Sequence, residues 1–183
     1  DCVTTVANGT AALTLALRAG NPPPGSLCMM PSWTFSATAH AAREAGLTPF
    51  FVDVAPDNWA LTPEIAGAAL ANAPGNVAAV LPVAPFGAPI GYDRWDEFSE
   101  ATGIPVVIDA AAAFDTAQPG RAPVVISLHA TKAVGIGEGG LIISRDPELV
   151  AKARSLSNFG FQQSRAAALP GFNAKLSEYA AAV

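Results

Sequence analysis

The chain has 183 residues, of which 51% are hydrophobic and 14% charged, a balance that suits a compact folded core and excludes a disordered or low-complexity chain. With 15 acidic against 10 basic residues the net charge is −5, and no run of Lys or Arg occurs, so no nucleic-acid partner and no membrane partner is expected and a small molecule is the favoured ligand. The apolar runs fall short of a membrane span, and Cys2 and Cys28 have no metal-type spacing, which together predict a protein of the reducing cytoplasm.

Asn8-Gly9-Thr10 precede AALTLALRAG, whose leucines and alanines recur at helical spacing, with Asn8 as N-cap and Gly20 as stop. After the turn NPPPG, SLCMM reads as a buried strand that Pro31 ends, and TFSATAHAAREAG as the next helix, closed by Gly46. PFFVDV is a second strand finishing on Asp53, and Thr62-Pro63 opens a helix through about Leu70, since proline suits the first helical position. NVAAVLPVAPFG is a strand with its following loop, GYDRWDEFSEAT an amphipathic helix, and PVVIDA a strand ending on Asp109. VVIS, LIIS and a helix from Asp146-Pro147 to about Asn158 follow. The last stretch, LSEYAAAV, reads as a helix without a closing residue, so the chain is expected to be part of something longer.

Continuous apolar strands alternating with helices predict an α/β fold, a mostly parallel sheet covered on both faces. Ligands in such sheets gather at the carboxyl ends of strands, which here carry Pro31, Asp53, Phe86, Asp109 and Ser127.

The stretch Ser127 to Gly140, SLHATKAVGIGEGG, holds Lys132 on a loop between two strands. A half-buried lysine loses the hydration that favours its ammonium form, and the freed lone pair can attack a carbonyl; a flexible surface lysine is the plain alternative. Gly135, Gly137 and Gly140 match the dinucleotide pattern G-x-G-x-x-G, but that pattern works by opening a helix, and the strand-like LIIS follows it. A tight turn is the better reading of these glycines.

Five features fit one cofactor. Lys132 can form a Schiff base with an aldehyde, and Asp109, at a strand end, can keep a pyridine nitrogen protonated. The helix opened by Asn8-Gly9-Thr10-Ala11 suits a phosphate, Ser127 adds a hydroxyl, and Trp33 can stack on an aromatic ring. Phosphate, pyridine and aldehyde together describe pyridoxal 5′-phosphate.

The stretches NGTAAL (8–13), PSWTFSATAHA (31–41), FFVDV, IDAAAAFD (108–115), SLHATK (127–132), GEGG (137–140) and GFNAKLSE (171–178) resemble, in order, the DegT/StrS family of PLP-dependent sugar aminotransferases of the aspartate-aminotransferase fold type. The resemblance implies a three-layer α/β/α large domain over residues 1–183, with a mostly parallel mixed sheet and without the N-terminal helices and C-terminal small domain of family members. It implies that Lys132 binds the cofactor, that Asp109 meets the pyridine nitrogen and that Trp33 stacks on the ring. It also puts Thr10, Ala11 and Ser127 at the phosphate and Asn173 at the phosphate of a neighbouring subunit, hence a homodimer with shared sites. The activity implied is amino transfer from an amino acid, glutamate by resemblance, to a nucleotide-linked keto-sugar.

Three positions depart from the family. Ala112 stands where glutamine is usual, Ala84-Pro85-Phe86-Gly87 replaces His-x-Tyr-Gly, and Lys175 replaces an arginine. A PLP lyase or dehydratase on a similar sugar is the rival enzyme, although lysine rather than histidine at position 132 speaks against the family's dehydratases. A truncated domain that binds cofactor or a partner without turnover is the rival outside enzymes. Of the remaining polar residues, His40 and His129 are read as structural and Asp53 as a loop hydrogen-bonder, while Glu138 could pair with a cation or hold its loop.

Overall fold

The computed structural model describes residues 2–183. Strand β2 (Leu27–Pro31) pairs in parallel with β3 (Thr48–Val52) on one side and β4 (Val77–Val80) on the other. Strand β5 (Ile108–Asp109) runs parallel to β6 (Val124–Ser127), which pairs antiparallel with β7 (Gly140–Ile143); β7 in turn pairs antiparallel with β1 (Val3–Val6). Isolated parallel bridges, Val80 to Val106 and Val83 to Asp109, join the halves into the order β3-β2-β4-β5-β6-β7-β1. The expected mixed, mostly parallel sheet is present.

Side chains alternate across each strand, so successive residues enter opposite cores. Cys28 and Met30 of β2, Val125 of β6 and Ile142 of β7 point to one core, together with residues of helices α1 (Gly9–Ala19), α2 (Ser36–Glu44) and α5 (Pro147–Ser157). Met29, Val80, Val124 and Ile126 point to the other, against α3 (Pro63–Leu70) and α4 (Tyr92–Thr102). Three layers result. Trp95 of α4 is buried and meets Phe98 edge-on with centroids 5.4 Å apart, so its truncation to alanine would cost about 3–5 kcal/mol.

The helix ends follow the sequence signals. Asn8 Oδ1 accepts from Ala11 N at 2.8 Å, Thr62 Oγ1 from Ile65 N at 3.4 Å, and Asp146 Oδ1 from Glu148 N at 2.9 Å. The last helix, α6 (Glu178–Ala181), is a single turn capped by Ser177. Among the described residues no helix is long and apolar enough to cross a membrane.

Two readings need correction. His40, read as structural, is exposed on α2, because the buried face of that helix runs through Thr38, Ala41 and Ala42. Strand β1 was not foreseen: VTTV has too little apolar content to announce a strand, and its pairing partner lies more than 130 residues away (140 − 6 = 134).

This late pairing matters for the site. Val6 pairs with Gly140 and Gly140 with Ser127, so the ends of β1 and β6 flank the start of β7, and helix α1 starts at the same sheet edge as the loops after β2, β4, β5 and β6. That edge is where the strand order turns back on itself, between β2 and β4.

Candidate active site

A cavity of about 1400 Å³ opens at this edge. It gathers Thr10 and Ala11 from α1, Trp33 from the loop after β2, Phe86 from the loop after β4, Asp109 and Ala112 from the end of β5, and Ser127 and Lys132 from the loop after β6. Asn173 lies outside it, exposed on a bridge to Asn158, where its Oδ1 accepts from Lys175 Nζ at 2.9 Å. Of the five strand-end residues expected in one crevice, Phe86, Asp109 and Ser127 line it. Pro31 gives way to its neighbours Ser32 and Trp33, and Asp53 stays outside, close to Ser32 Oγ at 3.5 Å.

Asp109 is 6% exposed, and its carboxylate is held from two sides. Thr38 Oγ1 donates to Oδ2 at 2.9 Å and the Ala111 amide to Oδ1 at 3.1 Å. Burial pushes its pKa up from the ordinary carboxylate value, while the Thr38 and Ala111 hydrogen bonds and the charge of Lys132 pull it down without fully compensating. A buried carboxylate in that state is completed by a cation placed before it, and a protonated pyridine nitrogen is one.

At the other end of the cavity is a cup for an anion. Asn8 takes the amide of Ala11, whereas those of Gly9 and Thr10 in the first turn of α1 have no acceptor within the helix. A β-carbon on Gly9 would lie 3.1 Å from Ser127 Cβ and 3.3 Å from Ser127 Oγ, so the serine hydroxyl stands against the start of the helix. Gly140 allows this approach: a β-carbon there would lie 2.6 Å from the Asn8 carbonyl oxygen. The glycines of GIGEGG thus serve a close-packed turn entering β7, and no helix starts at them.

Lys132 lines the same cavity as the anion cup and Asp109. Its amide donates to the His129 carbonyl at 2.8 Å, which closes a turn. His129 is half-exposed rather than buried; Nδ1 is 2.9 Å from Thr131 Oγ1 and Nε2 is 3.7 Å from Glu138 Oε1. The amine, the carboxylate and the anion cup fit the three polar parts of pyridoxal phosphate, its aldehyde, ring nitrogen and phosphate.

Two residues of this arrangement were missed from sequence. Thr38 was read only as a helix residue, though a hydroxyl in the first turn of a helix whose buried face is otherwise alanine carries a signal of its own. Phe35, 78% exposed and lining the cavity three residues before Thr38, lies in the stretch PSWTFSATAHA two positions after Trp33.

The chain resembles known proteins along its whole length. The model of the DegT/DnrJ/EryC1/StrS aminotransferase family matches residues 1–183. The UDP-N-acetyl-3-dehydro-alpha-D-glucosamine 3-aminotransferase of Acidithiobacillus ferrooxidans is 35% identical over 97% of this chain and 49% of its own length. A Bacillus cereus crystal structure assigned to the PLP-dependent aminotransferases superposes with a TM-score of 0.92 at 40% identity, over 98% of this chain and 50% of that one. Streptomyces venezuelae DesV, solved with a ketimine intermediate, superposes with a TM-score of 0.91 at 32% identity, over 100% of this chain and 50% of that one. The chain spans about half the length of the curated relatives it matches.

Proposed function

The chain belongs to the DegT/DnrJ/EryC1/StrS aminotransferase family, whose aminotransferases depend on pyridoxal phosphate, and on that premise we propose that it transfers an amino group from an amino acid, glutamate by preference, to a nucleotide-linked keto-sugar. The observation that carries this reading is the placement of Lys132, Asp109 and the Ser127–α1 anion cup around one cavity. The nucleotide-sugar class rests on the Acidithiobacillus relative, whose named substrate is of that kind.

When bound, pyridoxal phosphate supplies an electrophilic carbon for amines and a ring that takes up electron density. The chain's residues do the rest. Lys132 Nζ would hold the cofactor covalently and, when free, would serve as the base for the proton on the donor's α-carbon. Asp109, its two oxygens fixed by Thr38 and the Ala111 amide, would keep the proton on the ring nitrogen. Thr10, Ala11 and Ser127 would hold the phosphate, and Trp33, the residue that resemblance puts against the ring, lines the same cavity, as does Phe35. Asn173, outside the cavity, is proposed to reach the phosphate site of a second copy in a homodimer. Residues 1–183 are read as the cofactor-binding large domain. The unpaired Cys2 and Cys28 suit a cytoplasmic protein.

The test is spectroscopic. Protein mixed with pyridoxal phosphate should show a Schiff-base absorbance band that borohydride fixes covalently and Lys132→Ala removes; a band that survives in the variant sinks the assignment of Lys132. Conversion of glutamate to 2-oxoglutarate with a panel of nucleotide-linked keto-sugars then tests the reaction. A band without turnover would favour a cofactor-binding domain that needs the rest of a longer protein.

A further inference from the structure

The stacking role proposed for Trp33 needs its ring held in one plane, and nothing polar holds it. Among the described residues no hydrogen bond or ion pair fixes the indole, and at 49% exposure burial does not fix it either. A ring left free spreads over several rotamers, and ordering it when a ligand binds costs free energy.

Two other rings supply what is missing. Trp59 meets Trp33 edge-on, with centroids 5.1 Å apart and planes at 69°, while Phe86 lies 6.5 Å from Trp33 and 6.1 Å from Trp59. Phe86 lines the cavity with Trp33 and Trp59 does not, so Trp59 meets the indole from outside the cavity wall. The loops that carry the two indoles are fixed to each other. The Ser32 amide donates to the Val52 carbonyl at 2.8 Å, continuing the pairing of β2 with β3, and Ser32 Oγ lies 3.5 Å from Asp53 Oδ1.

The backbone at Trp59 is strained as well. Its φ of 58° lies in the left-handed region, which a bulky L-residue enters only at a free-energy cost. The loop holds it there: Trp59 N donates to the Ala55 carbonyl at 2.8 Å, Ala55 N to the Ala60 carbonyl at 2.9 Å, and Ala60 N to Asn58 Oδ1 at 2.9 Å, with Ala55 and Ala60 both buried. Glycine would occupy this position without strain. The Trp59 ring is itself half-exposed and gains little from burial, so its contact with Trp33 is what the strained position provides.

We infer that Trp59 is a positioning residue of the cofactor site, which touches neither cofactor nor substrate and acts by bracing Trp33 in the orientation that stacks on the cofactor ring. This rests on the assignment of Trp33 to that ring given above.

The test is a double-mutant cycle on pyridoxal phosphate binding, followed by absorbance titration of the Schiff-base band and by the circular dichroism of that band at saturation. Trp33→Ala should weaken binding, and Trp59→Gly should weaken it about two- to tenfold, the range that an edge-on ring pair supports. Trp59→Phe, which still offers a ring edge, should stay near the parent. In the Trp33→Ala background Trp59→Gly should have no further effect, because the residue acts only through the indole. A ring with a merely structural role would weaken binding alike in both backgrounds. Trp59→Gly should also lower the dichroism per bound cofactor, since a loosened indole no longer presents one fixed asymmetric neighbour. A Trp59→Gly protein that binds as tightly as its parent, or that loses as much affinity without Trp33 as with it, would overturn the inference and leave the Trp33 assignment standing. Unchanged binding in Trp33→Ala would overturn both together.

Discussion

Replacing Thr38 by valine removes one hydroxyl and little else. Threonine and valine have nearly the same shape and similar helix propensity, and Thr38 is fully buried in the first turn of α2. The lost interaction is the 2.9 Å bond to Asp109 Oδ2. Thr34 Oγ1, 2.7 Å from Thr38 Oγ1, also loses a neighbour, but it lies near the surface and can turn to water. A hydrogen bond to a charged acceptor contributes about 1.5–3 kcal/mol, and a buried oxygen left unpaired falls in the same range. For a chain of this size that corresponds to a drop of roughly 3–12 °C in the melting temperature. The effect on the cofactor has the same origin. Without the Thr38 bond the pKa of Asp109 moves further up, the carboxylate is harder to keep ionised opposite the ring nitrogen, and pyridoxal phosphate affinity should fall about tenfold or more. Thermal denaturation of the cofactor-free protein and absorbance titration with pyridoxal phosphate measure the two effects, with Thr38→Ser as control because it keeps the hydroxyl. The reasoning is refuted if valine leaves both quantities unchanged, or if serine is as damaging as valine, which would assign the role to the methyl group.

The remaining predictions concern charge and close packing. Asp109 in the cofactor-free protein holds its proton more tightly than in the unfolded chain, so its contribution to stability is complete below the ordinary carboxylate pKa and is lost as pH rises through its native titration. Melting temperature should therefore decline over that window in the parent protein, and Asp109→Asn should flatten the decline; equal slopes would show that another group sets it. Gly140→Ala should destabilise the fold by about 1–3 kcal/mol and weaken phosphate-dependent cofactor binding, since the added carbon meets the Asn8 carbonyl. In contrast, Gly67→Ala, inside α3 with nothing within 4 Å, should stabilise by about 0.5–1 kcal/mol in urea denaturation. A Gly140→Ala protein as stable as its parent would show that β1 and β7 can separate without consequence.

Local signals in the sequence were reliable wherever the physics is local. Asn8, Thr62-Pro63 and Asp146-Pro147 open helices as their side chains require, and the apolar run VVIS is buried along its length. The lysine loop and the strand-end aspartate were legible for the same reason, since each sits at the end of a continuous apolar run. What escaped depends on residues far apart. Thr38 meets Asp109 across 71 positions, and the ring contacts among Trp33, Trp59 and Phe86 join three separate loops. Trp59 and Phe86 adopt a backbone conformation that no propensity favours for them, so only the folded loops reveal it. Strand β1 was hidden because its short, threonine-rich sequence becomes a strand only against β7.

The register of β1 against β7 also bears on the order in which the site comes into being. Ser127 and the start of α1 approach each other only because Val6 pairs with Gly140 and Gly140 with Ser127. Joining segments so distant in the chain is an entropically expensive, slow step in folding. During synthesis, a chain that has not yet reached Ile143 has both halves of the phosphate cup but no strand to bring them together. The phosphate capture proposed above would then require completed sheet closure, so pyridoxal phosphate added during refolding should raise the yield and stability of the folded protein without changing the rate at which it forms.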